Sequence, residues 1–280
     1  MSTDFQQARL ALGVRLRELR TEAGLSGRDL SSQLGWQASK VSRLENGKQT
    51  PSLSDLDAWV AAVGQPDSAA ELRGRLQGLE TRYRSWRRQL AAGHRPRQEA
   101  GITETNRSEV VRSFEAGVVP GMLQTADYAR HVLSRYVDLR GTPRDIELAV
   151  NARMQRQAAL YEGGRKFHLL MWEAALHVLL CPPDVLAGQL DRLIGLLGLS
   201  SVSLGIIPLG APMTLAPGDG FSIYDDRLVI SETWSAELWL DEPQEIALFS
   251  TIWEALNASA VYGHRAHRLI ARARSSLDQA

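Results

Sequence analysis

Residues 24–51, GLSGRDLSSQLGWQASKVSRLENGKQTP, constrain this chain more than any other stretch. They spell two short helices joined by a tight turn, followed by a capped exit. Upstream, Leu10, Leu16 and Leu19 give an amphipathic helix that ends near Gly24, a residue suited to helix termination. Ser26 is placed to cap a second helix, on which Leu30 and Leu34 sit four apart on one face. Gly35 permits a sharp turn. A third helix is expected from Gln37 to Asn46, burying Val41 and Leu44. Asn46-Gly47 stops it, because both residues tolerate the left-handed conformation. Ser52 then caps a fourth helix with Leu53, Leu56, Val60 and Val63 inward.

The third helix leaves Gln37, Ser39, Lys40 and Arg43 on the face away from Val41 and Leu44. Two helices with such a turn and a polar, cationic second helix are the sequence form of a helix-turn-helix, which lays one helix into the DNA major groove. Arginine can donate two bonds to guanine and glutamine can pair with adenine, so Gln37, Ser39 and Arg43 are the expected base readers. Lys40, Asn46 and Lys48 suit phosphates, which position a protein without reading sequence. Trp36 at the turn is expected against sugar or the helix start. The alternative is a helical hairpin with a solvated polar face.

With those residues in view, residues 10–64 resemble the Xre, or Cro/repressor-type, helix-turn-helix, most closely through SKVSRLENGKQTPSL. The resemblance implies a small all-α repressor-like domain. That family usually has a backbone-contacting glutamine just inside the second helix. Gly27 stands there, and Arg28 is the substitute contact.

At 280 residues two domains are expected. Apolar content of 44% and charged content of 23% suit a soluble globular protein. No apolar run approaches a membrane span, and no signal-peptide core is evident, so a cytoplasmic protein without a membrane partner is expected. The single cysteine, Cys181, excludes an internal disulfide and fits a reducing compartment. The net charge of zero is segregated. Residues 1–100 carry 16 Lys and Arg against 11 Asp and Glu, and residues 101–280 carry 16 against 21. Residues 1–64 alone sum to only +1, so a single DNA half-site would bind weakly, and a homodimer is the usual remedy.

The expected organisation is a DNA-binding domain over 1–66, a basic helical connector over 67–100 and a second domain over 101–280. In the connector, Leu72, Leu76, Leu79, Tyr83, Trp86 and Leu90 follow a heptad stripe among arginines, predicting one helix over 68–92. The stripe is either a dimer seam or a face packed on its own domain. GHRPRQEAG, residues 93–101, reads as a loop or hinge.

The second domain reads as α+β. Helices are expected over 104–116, 125–136, 145–161, 183–197, 244–258 and 262–277. Strands are expected at 167–172 and 202–209, in a hairpin across 221–233 turning at Asp225-Asp226, and in SAELWLD. The result is a small, mostly antiparallel sheet covered by helices. VVPGMLQTADYAR, ARMQRQAALY and GFSIYDD resemble the C-terminal domain of actinobacterial WhiJ-like Xre-type regulators, some described as antitoxin-like and encoded beside a small partner protein. That resemblance implies a regulator whose second domain receives a protein or small-molecule signal. The other possibility is an interaction protein whose main role is binding the small partner.

Within this domain, Gln124 and Thr125 sit at a helix N-terminus after Pro120-Gly121, and Arg153 and Arg156 lie in the next helix. These four either meet an anion or acidic partner, or cap the helix and pair with carboxylates such as Glu173. Among Trp172, Trp234, Trp239 and Trp253, exposed members would anchor a partner. Residues 211–220 read as a flexible loop or lid. Catalysis finds little support. His264 and His267 are three apart but lack further metal ligands, and Glu173 and His177 do not complete HExxH. No GxSxG, GxxxxGK[ST] or GxGxxG is present, so neither enzyme activity, metal nor cofactor is expected.

Overall fold

The computed structural model describes residues 3–277. They fall into two units, Met1–Tyr83 and Arg84–Ala280.

The first unit is all helical: α1 (Thr3–Glu22), α2 (Gly27–Leu34), α3 (Ala38–Glu45), α4 (Leu53–Val63) and α5 (Ser68–Arg82). Local chemistry sets the boundaries. Ser26 and Asp29 form a reciprocal capping box at the start of α2, and Gly35 closes it in the left-handed region. Ser52 and Asp55 repeat the box at α4, with Gly64 as its left-handed cap. The core gathers Leu12, Leu16, Leu19, Leu30, Val41, Leu44, Leu56 and Trp59. The Trp59 indole N–H donates to the Leu16 carbonyl at 3.2 Å, so its polar end is satisfied where its ring is fully buried. Two leucines expected inward are not: Leu10 is 40% exposed and Leu53 is 54% exposed, each on the outer side of its helix.

The helix expected over 68–92 is divided. After α5 the chain extends as β1 (Tyr83–Ser85) and then makes one short helical turn, α6 (Trp86–Gln89). Leu72 and Leu76 are buried in the first unit's core. Trp86 and Leu90 are buried in the second unit, where the Trp86 indole N–H donates to the Thr233 carbonyl at 2.8 Å. The described leucines of the heptad stripe, Leu72, Leu76 and Leu90, are thus divided between the two units, while the side chains of Leu79 and Tyr83 lie outside the described residues.

In the second unit, the loop expected over residues 93–101 is confined to Gly93 and His94, and the rest is helical. Residues 95–101 begin α7 (Arg95–Asn106), which Pro96 starts near its first position. The expected helix over 104–116 is also corrected, because its second half is β2 (Val110–Glu115). The remaining elements follow as α8 (Ala126–Arg140), α9 (Ile146–Gln157), β3 (Lys166–Trp172), α10 (Pro183–Leu196), β4 (Val202–Ile207), β5 (Phe221–Tyr224), β6 (Leu228–Glu232), β7 (Ala236–Leu240), α11 (Pro243–Asn257) and α12 (Gly263–Leu277).

The sheet order is β1-β7-β6-β5-β2-β3-β4. The β5–β6–β7 meander is antiparallel and joins β2 antiparallel, whereas β2–β3 and β3–β4 are parallel. An α+β fold with a mostly antiparallel sheet is therefore what the chain adopts. Both sheet faces are covered. Leu169, Met171, Leu204 and Ile206 face one core with α10 and α12 residues, and Phe114, Leu170, Phe221 and Val229 face another with α11. The β5–β6 turn places Asp225 at a φ of 52° and directs its carboxylate onto the backbone amides of Glu109 and Val110.

Candidate nucleic-acid interface

The face of α3 opposite its buried Val41 and Leu44 is open. Gln37, Ser39, Ser42 and Arg43 are all exposed there, and Gln37 is the N-cap residue. Ser39 Oγ donates to Gln37 Oε1 at 3.4 Å. Arg43 Nε donates to Gln49 Oε1 at 3.0 Å, which orients the guanidinium while its outer nitrogens stay available. Exposed Arg28 lies in the first turn of α2, and exposed Lys48 lies just beyond α3.

The other expected contacts are partly committed elsewhere. Lys40 Nζ donates to Asp55 Oδ1 at 2.6 Å and stands 3.8 Å from the centre of the Trp36 ring. Burial alone would raise the Asp55 carboxyl, but Lys40 and the Ser52 cap hold it below its usual range. Trp36 is half-buried and packs against Trp59, with ring centres 6.3 Å apart. The Asn46 side chain accepts from Arg17 at 2.6 Å and donates to the Ser42 carbonyl at 2.8 Å. Lys40, Trp36 and Asn46 therefore fix α3 in place, while Gln37, Ser39, Arg43, Arg28 and Lys48 point outward.

The strongest fixing contact involves residues that the sequence reading passed over. Glu45 is 7% exposed and accepts from Arg20 at 2.5 and 3.0 Å and from Arg17 at 3.3 Å. Gly13 allows α1 to approach, because a Cβ there would lie 2.6 Å from the Leu44 and Glu45 carbonyl oxygens. Nothing local marks these partners in the sequence, since Arg20 and Glu45 are 25 residues apart.

In the second unit, Thr125 caps α8 through its hydroxyl, and its amide donates to Gln189 Oε1 at 2.7 Å. Gln124 is buried. It donates to the Val119 carbonyl and accepts from Arg153 at 2.5 Å. Arg153 also donates to Gln98 at 3.0 Å, and Arg156 donates to Thr105 Oγ1 at 2.7 Å and to the Tyr224 hydroxyl at 3.1 Å. Neither arginine pairs with Glu173, whose carboxylate instead accepts the Leu209 amide at 2.8 Å. Gln124, Arg153 and Arg156 share the wall of a cavity of about 420 Å³ within this unit, together with Glu115 and Glu232. Trp234, at its rim, is 76% exposed, whereas Trp239 and Trp253 are buried.

Among the described residues no three His, Cys, Asp or Glu side chains converge as metal ligands. Nor is any described helix long and apolar enough to cross a membrane. Cys181 is a buried free thiol.

The family comparison then decides the chain's affiliation. Residues 99–272 match the domain of unknown function DUF5753. The chain belongs to the DUF5753 family. Ahead of that match, residues 11–72 match a helix-turn-helix domain, running from within α1 through α4 and into α5. DUF5753 here is therefore joined to an N-terminal helix-turn-helix, which supports a DNA-binding regulator. The curated proteins hold no match to the chain. Two solved structures overlap with it only loosely. NucT from Helicobacter pylori is 13% identical, with a TM-score of 0.33, covering 61% of this chain and 92% of its own. The archaeal chromatin protein TrmBL2, whose structure is described as showing a novel mode of DNA binding, is 11% identical with a TM-score of 0.34, covering 85% and 88%. At those scores neither overlap informs the fold or function of the DUF5753 chain.

Proposed function

We propose that this protein is a sequence-specific DNA-binding transcription regulator of the Xre type. In this reading α3 enters the major groove, with Gln37, Ser39 and Arg43 at base edges and Arg28 and Lys48 at phosphates. The observation that carries it is the exposed reading face of a helix held rigidly from behind by Arg20–Glu45 and Lys40–Asp55, within a domain that matches the helix-turn-helix family. A positioned reader keeps discrimination high, because a helix free to rock would blur a hydrogen-bond pattern.

The charge of residues 1–64, only +1, supports a homodimer, since two weakly basic domains on one operator double the contacts. The acidic DUF5753 unit, with WhiJ-like motifs, receives a signal that modulates DNA binding, and the protein is a cytoplasmic regulator without catalytic activity. Selection from a random DNA pool tests this directly. Recovery of one enriched motif supports the reading, and an unenriched pool overturns it.

Exposed Trp234 favours a second reading, in which the same unit is an antitoxin-like module that binds a small partner protein. Tight partner binding with no DNA selectivity would give this reading priority.

A further inference from the structure

The cavity of the second unit is lined by charges of both signs that do not neutralise one another directly. Arg153 and Arg156, on α9, spend their hydrogen bonds on neutral groups: Gln98, Gln124, Thr105 and the Tyr224 hydroxyl. Cations partly withdrawn from water are ordinarily paired with carboxylates, so two half-buried guanidiniums held only by neutral groups are unusual. Burial pushes Arg153 down to about 10, with nearby Arg156 and Arg97 adding to the effect against Glu232 and Glu115.

The carboxylates are equally underused. Glu115, at the end of β2, takes no hydrogen bond or ion pair among the described residues. Glu232, at the end of β6, has Arg97 as its nearest cation at 3.7 Å, while Arg97 makes its closer contact with buried Glu237. Over half of the Glu232 side chain is accessible, yet it lines the cavity, and protein surrounds it closely enough for desolvation to push its carboxyl upward. Gly220, just before β5, keeps the space beside these groups open. A Cβ there would lie 2.5 Å from a Glu115 carboxylate oxygen. Val118, Val132 and Tyr136 supply an apolar wall, and the volume of about 420 Å³ lies in the range of small-molecule sites.

We propose that this cavity binds a zwitterion of amino-acid to dipeptide size with an apolar side chain. Its carboxylate faces Arg153 and Arg156, its ammonium faces Glu115 and Glu232, and its side chain lies on the apolar wall. Such a ligand satisfies both charge sets at once, which a simple anion, a simple cation or an apolar compound does not. The inference refines the signal-receiving part of the function proposed above. Its test omits DNA, so its failure is separable from failure of the DNA-binding reading.

The test is calorimetric titration of the full chain with L-phenylalanine, L-leucine, L-tryptophan and the dipeptides Leu-Leu and Phe-Leu. Each parent that binds is compared with its C-terminal amide and its N-acetyl derivative. The expected result is saturable binding by at least one parent, with both derivatives weaker by about tenfold or more, the worth of one lost charge-assisted contact. In Arg153→Met the preference for the parent over its amide should disappear, and in Glu232→Gln the preference over the N-acetyl form should disappear. The comparison among ligands on the unaltered protein stands even if a variant does not fold. Absence of binding by every parent at millimolar concentration would overturn the proposal. Equal binding of parent, amide and N-acetyl forms would overturn it as well.

Discussion

Arg20 donates two hydrogen bonds to the Glu45 carboxylate, at 2.5 and 3.0 Å, across the joint between α1 and α3. The two side chains are 14% and 7% exposed, so the pair is screened little by solvent. Removing Glu45 leaves Arg20 with only the Leu25 carbonyl, and removing Arg20 leaves the buried Glu45 with the longer contact to Arg17 alone. Arg20→Ala or Glu45→Ala is expected to destabilise the first unit by about 3 kcal/mol, read from the urea midpoint of its unfolding transition. A change of only a few tenths would mean that α3 is held by Val41 and Leu44 alone.

Gly13 gives an independent handle on the same joint. Alanine normally favours a helix over glycine by about 1 kcal/mol. Here its Cβ would meet backbone oxygens at 2.6 Å, and backbone cannot swing aside as a side chain can. Gly13→Ala is therefore expected to lower stability by roughly 1–3 kcal/mol, the cost of overpacking. A stabilised variant would contradict the close approach of α1 and α3.

Lys40 and Lys48 separate two kinds of cation. Lys40 is tied to Asp55, so Lys40→Ala should cost about 1–2 kcal/mol of folding stability. Lys48 is exposed, so Lys48→Ala should leave stability unchanged. Instead it should weaken all DNA sequences similarly and reduce the salt slope of binding by about one. Thermal unfolding and salt titrations of both variants check the pair. A salt-slope loss confined to Lys40→Ala would reverse the assignment.

The second unit carries an acid-sensitive histidine. Burial pushes the His94 imidazole below its usual range, opposed by Asp145 and aided by Arg140 and Arg153. Because its folded-state pKa is depressed, the unfolded chain takes up the proton first as pH falls below about 6.5. Stability is fully present above that pH and declines as pH falls toward the folded pKa. Thermal melts between pH 7.5 and 5 should show this decline, and His94→Asn should reduce it. An unchanged pH slope in the variant would assign the acid sensitivity elsewhere.

The parts of this architecture readable from sequence are those written in local chemistry. Ser26, Gly35, Ser52 and the apolar spacing of α2 through α4 act within a few residues of themselves, so the boundaries of these helices were legible. The periodic leucines of 68–92 misled because one spacing served two cores, with Leu72 and Leu76 in one and Leu90 in the other. In β2, Val111 and Phe114 fit a helical spacing too. Neighbours β3 and β5, remote in sequence, decide for a strand. The exposed residues of α3 were nameable because a helix has only one face left once its core face is known. Glu45, Gly13 and the cavity carboxylates Glu115 and Glu232 gave no such signal, since their placement arises from segments distant in the chain.

The central claim is that α3 reads bases through Arg43. Its most direct test is fluorescence anisotropy of the intact protein and of Arg43→Ala on DNA enriched from a random pool, at two salt concentrations. The account predicts a recovered motif, palindromic for a homodimer. It also predicts that Arg43→Ala loses about 1–3 kcal/mol on that motif and relaxes preference at one base pair per half-site. Undiminished affinity and unchanged base preference in Arg43→Ala would contradict it.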